Sequence, residues 1–320
     1  MTVDATLEEF VRTDCRTLPL PGSGETWRRF EVLASWASLD LSLGRLVEGH
    51  SDAVAILAQA GMEPVSPKAQ YGVWAARSRR DATTAVLVDD GWILRGTKPF
   101  CSGSGLIDRA LVVTDSDDGS RIFDVAVADQ VTATHAHSWP AVGMADSLSA
   151  TLDFGGPPIP RSREVGPANF YTERPGFWFG GAGVAACWYG GALGLLNSLL
   201  DSIGDDPSEH VLCDLGVAIA GVESMRRVLH AIADDIDRDP LDLAQHAHFG
   251  ALLARQVVHD QALEVLTRVG AAGGARQLCL DGAQSRRAAD LFAYLSQHHG
   301  GTDAAELGRL AKDAWRDAHR

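Results

Sequence analysis

The chain has few cysteines, and they follow no ordered pattern. Five cysteines are spread over 320 residues, and no Cys-x-x-Cys pair occurs among them. An odd number of scattered thiols does not build the disulfide framework of a small secreted domain. The cysteines are Cys15, Cys101, Cys187, Cys213 and Cys279. We therefore expect a reduced, cytoplasmic protein.

The chain also has fewer basic than acidic residues. Lys and Arg together number 28 against 42 Asp and Glu, which gives a formal net charge of -14 at pH 7. Nucleic acids and anionic membrane surfaces repel such a chain, so neither is expected as its main partner. An anionic small molecule is not excluded, because a local basic patch acts within a screening length of about 8–10 Å.

The sequence lacks an unbroken apolar run that would span a membrane. Its most apolar stretch, residues 177–200, is interrupted by six glycines, and its small residues favour a buried helix over a membrane span. The first ten residues, MTVDATLEEF, are acidic and lack the apolar centre of a signal peptide. We expect a soluble protein without a membrane partner.

Helical and β patterns alternate along the chain. Apolar residues at helical spacing occupy residues 26–65, short β-rich runs with turn residues between them occupy residues 66–165, and helical spacing returns at residues 170–320. Residues 1–25, with mixed charges and a turn-rich TLPLPGSG, are predicted as a leader and loop. The predicted fold is α+β and multidomain, with a short N-terminal helical segment, a central antiparallel β-barrel or sandwich, and a C-terminal helical bundle.

The most specific motif is GTKPFCSGSGLID at residues 96–108. It resembles the Gly-x-Lys-x-Trp-Ile-Thr/Ser-Asn/Ser-Gly segment of the acyl-CoA dehydrogenases, a family related to flavin monooxygenases of the same fold. The order of helical and β regions agrees with that family, and the resemblance covers roughly residues 26–310. Supporting matches are ASLDLSLGRLVEGHSDAVAILAQAG, YGVWAARSRRD and WPAVGMADSLSATLDFGGPPIP.

The resemblance implies an FAD cofactor beside this motif. Family members place an aromatic residue against the isoalloxazine ring and, two residues later, a hydroxyl that hydrogen-bonds flavin N5, the atom that receives the hydride. The matching residues are Phe100 and Ser102, and Val73 and Trp74 would offer backbone groups to the polar edge of the flavin. The alternative is that Phe100 and Ser102 simply end a strand and form a turn.

The resemblance fails at the catalytic base. Many acyl-CoA dehydrogenases use the glutamate of a Tyr-Glu-Gly-Thr segment near the C-terminus. The corresponding residue here is Gly300 or Ser296, depending on the register, and neither supplies a carboxylate. Glu223 and Glu264 would have to act from another helix, and each is expected to be a solvated surface charge instead.

His298, His299 and Glu306 are the remaining acid–base candidates near the C-terminus. Histidine titrates near neutrality and can replace a carboxylate in proton transfer. The alternative is a polar helix end, where histidines interact favourably with the helix dipole. The identity of the catalytic residue therefore stays open.

Other histidines and one cysteine are expected to be structural. On a helix, the spacing of His246 and His248 turns the two side chains apart, and nothing completes a site beside His135 and His137, so no metal is predicted. Cys101 lies between the two flavin-matching residues and is expected to be a small buried side chain instead of a reactive thiol.

Two further departures concern flavin affinity and length. The Arg-x-x-Phe-Gly…Gln pattern with which family members grip the FAD pyrophosphate is replaced by DDPSEHVLCDLGVAIAGVES, a loss of charge-assisted hydrogen bonds worth about 1.5–3 kcal/mol each. The cations left to compensate are Arg226, Arg227 and Arg255. The helical sequence before the β region is also less than half that of full-length relatives, which implies an N-terminally shortened member with an open or remodelled substrate site.

The sequence thus predicts an FAD-dependent oxidoreductase that transfers a hydride from an acyl thioester, carried on CoA or a carrier protein, to flavin N5. One alternative is a non-catalytic partner of a second acyl-CoA dehydrogenase subunit. Another is a flavin-dependent monooxygenase, which has no need of the glutamate and would position its substrate with Ser102 or His298. A dimer or tetramer, of identical or different chains, is expected.

Overall fold

A computed structural model of the chain describes residues 3–77 and 82–318, which form two compact units. The first unit contains the residues up to Leu18 together with Arg45–Ala141 and Ala145–Phe177. The second contains Pro19–Gly44, Val142–Met144 and the residues from Trp178 onward. The β region of the sequence lies in the first unit and the long C-terminal helices lie in the second.

A seven-stranded sheet dominates the described part of the first unit. Six strands follow the order β1-β4-β2-β3-β7-β6, and β5 pairs with β4 outside this path. The strands are β1 Tyr71–Trp74, β2 Thr83–Val88, β3 Gly91–Cys101, β4 Arg109–Ser116, β5 Gly119–Ala126, β6 Val131–His135 and β7 Ala150–Phe154.

Turn chemistry explains the closest antiparallel pairs. Strands β2 and β3 meet across Asp89-Asp90 with Val88 opposite Gly91, so the hairpin predicted from Asp-Asp-Gly is confirmed. Two pairings, β1–β4 and β2–β4, are parallel, unlike the antiparallel arrangement predicted. Parallel neighbours need a long connection, and here the β2–β3 hairpin and residues 102–108 provide it.

The core of the first unit lies between one face of the sheet and a helix. Helices α1 Val3–Arg12, α2 Thr26–Leu39 and α3 Leu41–Gln59 precede the sheet, and the short α4 Val127–Gln130 and α5 Phe170–Glu173 follow later. Ile56 and Leu57 of α3 pack with Leu111, Val113 and Ile122 in a buried cluster. Burial of side chains of this kind stabilises by about 1.5–3 kcal/mol each.

Helix α1 corrects the prediction of a leader and loop. Its Leu7, Phe10 and Val11 are buried, and their spacing of three and one residues places them on one helical face. The Phe10 ring meets the His50 ring edge-on, with the centroids 6.1 Å apart. The sequence shows this apolar stripe, but the stripe is a single short helical face within an acidic stretch, so a helix was not predicted.

The second unit is helical, as predicted for the C-terminal bundle. Its helices after α2 are α6 Gly176–Ser202, α7 Glu209–Arg238, α8 Ala247–Leu280, α9 Gly282–Leu295 and α10 Gly300–Ala318, of which α6 begins in the first unit. Ser208 caps α7 and Asp281 caps α9 through bonds from backbone N–H groups. Helix α8 is interrupted at Gly274, where φ is 60° and ψ is -168°.

Helix α6 is long and apolar enough to cross a membrane, but 83% of its most apolar window is buried inside the structure. Its glycines let α2 approach closely. A Cβ on Gly190 would lie 2.3 Å from the Ala34 carbonyl oxygen, and one on Gly194 would lie 2.4 Å from that of Ser38. The helix therefore serves as a core helix, and the prediction of a buried helix is confirmed.

Gly190→Ala is expected to destabilise the protein, because the added methyl group has no space beside Ala34. Overpacking of this kind costs about 1–3 kcal/mol. Gly216→Ala on α7 is the matched control, since a Cβ there meets no atom within 4 Å and replacing a helical glycine adds about 0.5–1 kcal/mol. Urea denaturation measures both variants, and equal free energies of unfolding would contradict the close helix approach.

Candidate functional site

Strand β1 has an open edge in the described part of the chain, because it ends the strand order. The Tyr71 N–H donates to His50 Nδ1 at 3.0 Å instead of to a strand. Residues two apart in a strand present their backbone groups to the same edge, so the Val73 N–H also faces away from β4. Trp74 contributes its indole, whose Nε1 donates to the Ser102 carbonyl at 2.9 Å.

A shallow depression with about 210 Å³ of empty space lies over this edge. It is formed by one face of α3, by β1 and by the residues that follow β3. A Cβ on Gly49 of α3 would come 4.0 Å from the Val73 nitrogen, so the missing side chain leaves this N–H uncovered. Gly49 was missed in the sequence, because a lone glycine inside a helical pattern gives no signal of what it faces.

Strand β3 ends in a bulge that separates neighbouring side chains. The register with β7 shifts between Lys98 and Cys101, and Phe100 inside the bulge has φ +59°, a left-handed conformation that is strained for an aromatic residue. The Phe100 side chain is 61% exposed, whereas Cys101 is buried. Burial raises the pKa of the Cys101 thiol to about 12, and the predicted burial of this side chain is confirmed.

A chain of hydroxyls orients Ser102. The Ser149 hydroxyl donates to the Ser102 hydroxyl at 3.3 Å, and the hydroxyls of Ser147 and Ser149 are hydrogen-bonded to each other at 2.9 Å. Since Ser102 Oγ accepts this bond, its own hydrogen stays available for an external acceptor. Ser147 and Ser149 were missed because they are more than 40 residues away in the sequence from Ser102.

These groups fit one edge and one face of a planar, partly polar ring such as a flavin. Phe100 offers an exposed aromatic face, Ser102 a hydroxyl donor and Val73 a backbone N–H donor. The Phe100 ring is itself supported by the edge of Trp139, with the centroids 6.2 Å apart. The depression is shallow and open to solvent, so it offers a contact surface for one part of such a cofactor.

The second unit holds a buried histidine cluster between α8 and the end of α9. The His298 ring is fully buried and its centroid lies 4.5 Å from that of His259. His298 Nε2 is 3.1 Å from Gln256 Oε1, and His298 Nδ1 is 3.4 Å from Asp303 Oδ2. The cluster thus gathers one imidazole, one amide and one carboxylate around the buried His298 ring.

Hydrogen bonds along α8 fix which nitrogen of His298 carries the proton. Gln256 Nε2 donates to Asp260 Oδ2 at 2.8 Å, because a carboxylate only accepts. The Gln256 oxygen therefore faces His298, whose Nε2 must be the protonated nitrogen of the neutral ring. His298 Nδ1 is then the atom that gains or loses a proton, and Asp303 stabilises the protonated form.

The surroundings of His298 favour its neutral form. Burial lowers the pKa of His298, and the neighbouring His259 and the Arg255 guanidinium lower it further, against opposing effects of Asp303 and Asp260. Arg255 lies over the Trp188 ring, 4.6 Å from its centroid, and so stays beside the cluster. A neutral imidazole at pH 7 is able to accept a proton, which is the requirement for a general base.

The other acid–base candidates have ordinary surroundings. His299 is exposed, and its carbonyl accepts from the Thr302 and Asp303 N–H groups at the start of α10. Glu306 pairs with Arg309 one turn later. Neither has the burial or the partners of His298, although His298 and His299 are adjacent in sequence.

The carboxylates proposed to act from other helices are held by ion pairs. Hydrogen bonds from Arg226 lower the pKa of Glu223 to about 2, and Arg227 also binds this carboxylate. Glu264 pairs with Arg268 at 2.7 Å. These are surface pairs, as predicted, and Arg226 and Arg227 are engaged within their own helix.

The remaining histidines do not assemble a metal site in the part of the chain that the structure describes, where no group of three or more His, Cys, Asp or Glu is suited to hold an ion. His135 pairs with Asp153 at 3.0 Å. His248 stacks on Trp178 with the centroids 3.8 Å apart, while His246 precedes α8 at its N-cap.

The candidates therefore form two groups. The predicted cofactor residues Val73, Trp74, Phe100 and Ser102 belong to the first unit, where Val73 and Ser102 line one depression, and His298, His299 and Glu306 belong to the second. The polar residues Gln256, His259 and Asp260 were missed in the sequence. Their signal is a polar patch at three- and four-residue spacing within the apolar helix α8.

No model of a known protein family matches the sequence, and no curated protein matches it. Solved structures are similar over nearly the whole chain. Methanesulfinate monooxygenase MsuC from Pseudomonas fluorescens has a TM-score of 0.77 at 16% identity, over 98% of this chain and 96% of that one. KijD3, solved with FMN and dTDP-3-amino-2,3,6-trideoxy-4-keto-3-methyl-D-glucose, has a TM-score of 0.81 at 15% identity, over 97% and 86%.

TdsC from Paenibacillus sp. A11-2, solved with FMN and indole, has a TM-score of 0.76 at 18% identity, over 99% of this chain and 96% of that one. Identities this low establish the fold alone. The chain has the acyl-CoA dehydrogenase-like fold that these structures share, which confirms the predicted fold class. The resemblance seen in the sequence is therefore confirmed at the level of fold.

The charges around His298 predict opposite pKa shifts in two variants. Asp303→Asn removes a neighbour that raises the pKa, so the His298 pKa is expected to fall, whereas Arg255→Gln is expected to raise it. As pH falls, His298 is protonated in the unfolded chain, at a pKa of about 6.5, before it is protonated in the folded protein. Folding stability therefore decreases as pH falls below about 6.5. NMR titration of the imidazole signals measures both variants, and shifts of the same sign would contradict this arrangement.

Proposed function

We propose that this protein is a flavin-dependent monooxygenase that acts on a small molecule. The observation that carries the proposal is the buried His298, held neutral with Nδ1 as its proton-accepting atom, together with the lack of a carboxylate at Ser296 and Gly300, the positions matched to the dehydrogenase base. Solved structures of similar fold support it, because MsuC and TdsC are described as monooxygenases and TdsC was solved with FMN.

Dehydrogenation of an acyl thioester is the weaker candidate. It requires a strong base to remove an α-proton, and the matched residues are Ser296, the C-cap of α9, and Gly300, the first residue of α10. Neither ionises near neutral pH. Histidine can replace a carboxylate in proton transfer, and it is well suited to moving a proton onto or off oxygen.

The first unit would bind the cofactor. Phe100 would pack against the ring face, the Ser102 hydroxyl would donate to N5, and the Val73 N–H would bind the polar edge. Bound reduced flavin supplies two electrons for the splitting of O2, so that one oxygen atom enters the substrate and the other leaves as water. Either FMN or FAD meets these contacts, because none of them reaches beyond the ring.

The second unit would supply proton chemistry. His298 Nδ1 takes up one proton, the Asp303 carboxylate stabilises the imidazolium, and Gln256 keeps Nε2 as the bonded donor. Burial of the ring excludes bulk water and keeps the proton at this atom. The substrate is a small molecule whose chemistry the fold does not specify, since TdsC was solved with indole and KijD3 with a sugar nucleotide.

Phe100→Ala is expected to weaken FMN binding by roughly two- to twelvefold, the equivalent of about 0.5–1.5 kcal/mol for a lost aromatic contact. Phe292→Ala is the matched control, because Phe292 is 65% exposed, close to the 61% of Phe100, but lies on α9 of the second unit. Quenching of flavin fluorescence measures both. Absence of FMN and FAD binding to the unaltered protein would reject the proposal and favour a non-catalytic subunit.

Gly49→Ala provides a second variant for the same measurement. Its Cβ would make ordinary contacts, 3.4 Å from Arg45 and 4.0 Å from the Val73 nitrogen, so the fold should be retained. It would nevertheless cover the N–H that the flavin edge needs. Gly216→Ala makes the same exchange in an open helix position, and equal FMN affinity in the two variants would contradict binding at Val73.

His298→Gln is expected to lower oxygen transfer by about 10²–10⁴-fold, the usual contribution of a general acid–base group. The neighbouring His299→Gln, at an exposed position, is the control and should keep most of the activity. The assay supplies reduced FMN, ¹⁸O2 and a panel of small aromatic and sulfur compounds, and mass spectrometry detects products heavier by one labelled oxygen. Equal activity in both variants would remove His298 from the mechanism.

A further inference from the structure

One buried positive charge takes no part in the proposed function. Lys98 of β3 is one of three lysines in the chain and is only 3% exposed. Its Nζ donates to the Ala76 carbonyl at 3.0 Å. An ammonium group has three N–H donors, so two of them have no acceptor among the described residues.

This charge also has no carboxylate partner in the described ranges. Asp115 raises the pKa of Lys98 through its charge, but its carboxylate forms an exposed ion pair with Arg77 at 3.3 Å. The other titratable neighbour, Cys101, is a neutral thiol whose pKa burial raises to about 12. An unpaired buried charge costs several kcal/mol, so a buried ammonium is normally found with an anion.

A second polar group points into the same cleft without a partner. Thr114 of β4 is also only 3% exposed, and its Oγ1 has no hydrogen-bond partner among the described residues. Lys98, Thr114, Thr83 and Arg77 line one cleft together with Asp115, and its empty space of about 240 Å³ is open to solvent. Buried hydroxyls are almost always bonded, so this one calls for an explanation.

We propose that this cleft binds a small oxyanion, a phosphate or carboxylate group, between Lys98 Nζ and Thr114 Oγ1, with Arg77 at the rim. A water molecule would satisfy the hydrogen bonds but would leave the buried charge uncompensated. An oxyanion satisfies both, through charge-assisted bonds to the ammonium and a bond from the hydroxyl. The proposal does not rest on flavin binding, because Lys98 is buried in this cleft whereas Phe100, inside the β3 bulge, is exposed.

The ionisation of Lys98 is consistent with such a site. Burial lowers the pKa of Lys98 to about 8, against weaker opposing effects of Cys101 and Asp115 and with a further lowering by Arg77. At pH 7 the ammonium is therefore still the main form. A bound anion stabilises that form and raises the pKa, so anion affinity is expected to fall as pH rises through 8 and above.

The test uses the full chain labelled with ¹³C-lysine, whose three lysines give few signals to assign. Titration with inorganic phosphate is expected to shift the Lys98 Cε signal and raise its pKa, while Lys68 and Lys312 stay unchanged. Lys98→Met and Thr114→Val should each weaken phosphate binding, measured by calorimetry, at least about tenfold through loss of a charge-assisted or direct bond. Thr114→Val removes an unpaired hydroxyl and should not lower stability.

Comparison of FMN with riboflavin identifies the source of the anion. If Lys98→Met abolishes an affinity difference between the two, the oxyanion is the cofactor phosphate. If phosphate binding is lost in that variant while the difference persists, the oxyanion belongs to another ligand. A Lys98 pKa that phosphate at tens of millimolar does not move, together with unchanged phosphate affinity in both variants, would overturn the proposal.

Discussion

The bulge at the end of β3 is the constraint on which both proposed sites of the first unit depend. In a regular strand, Lys98 and Phe100 would share one face, because side chains two apart point the same way. The register shift between Lys98 and Cys101 and the left-handed backbone of Phe100 break this alternation. Lys98 is thereby buried in the cleft while Phe100 projects into solvent. The backbone strain, of order 1–3 kcal/mol for such a residue, is thus coupled to the two features that give the strand a function.

In the second unit, the corresponding constraint is electrostatic. A histidine surrounded only by apolar side chains would be neutral but without a defined tautomer. Here the carboxylate of Asp260 fixes the Gln256 amide, and the amide fixes His298. The basic atom is set by a carboxylate that does not touch the ring. Burial lowers the pKa of His298, and Arg255 and His259 lower it further against the opposing effects of Asp303 and Asp260, so the neutral ring is favoured.

Local signals were sufficient for the elements but not for the sites. The Asp89-Asp90-Gly91 turn and the glycine-rich helix α6 were predictable because each depends on neighbouring residues. Helix α1 was missed although its apolar face was readable. The alignment of Ser102 with Ser149, and of Gln256 with His298, depends on residues 47 and 42 positions apart. No periodicity carries such pairings, so Phe100 and His298 were named as candidates without the partners that orient them.

The absence of a carboxylate at the expected catalytic position and the neutral form of His298 have the same electrostatic explanation. A glutamate in the buried setting of His298 would have to share the second unit with the carboxylates Asp260 and Asp303, which would raise its pKa and disfavour its ionised form. A histidine avoids this, because its ring is neutral before proton transfer. It becomes charged only when it is protonated beside Asp303. The same carboxylates that would hinder an acidic base stabilise the protonated imidazole. Under the proposed function, His298 therefore accepts a proton as a neutral ring and holds it beside Asp303.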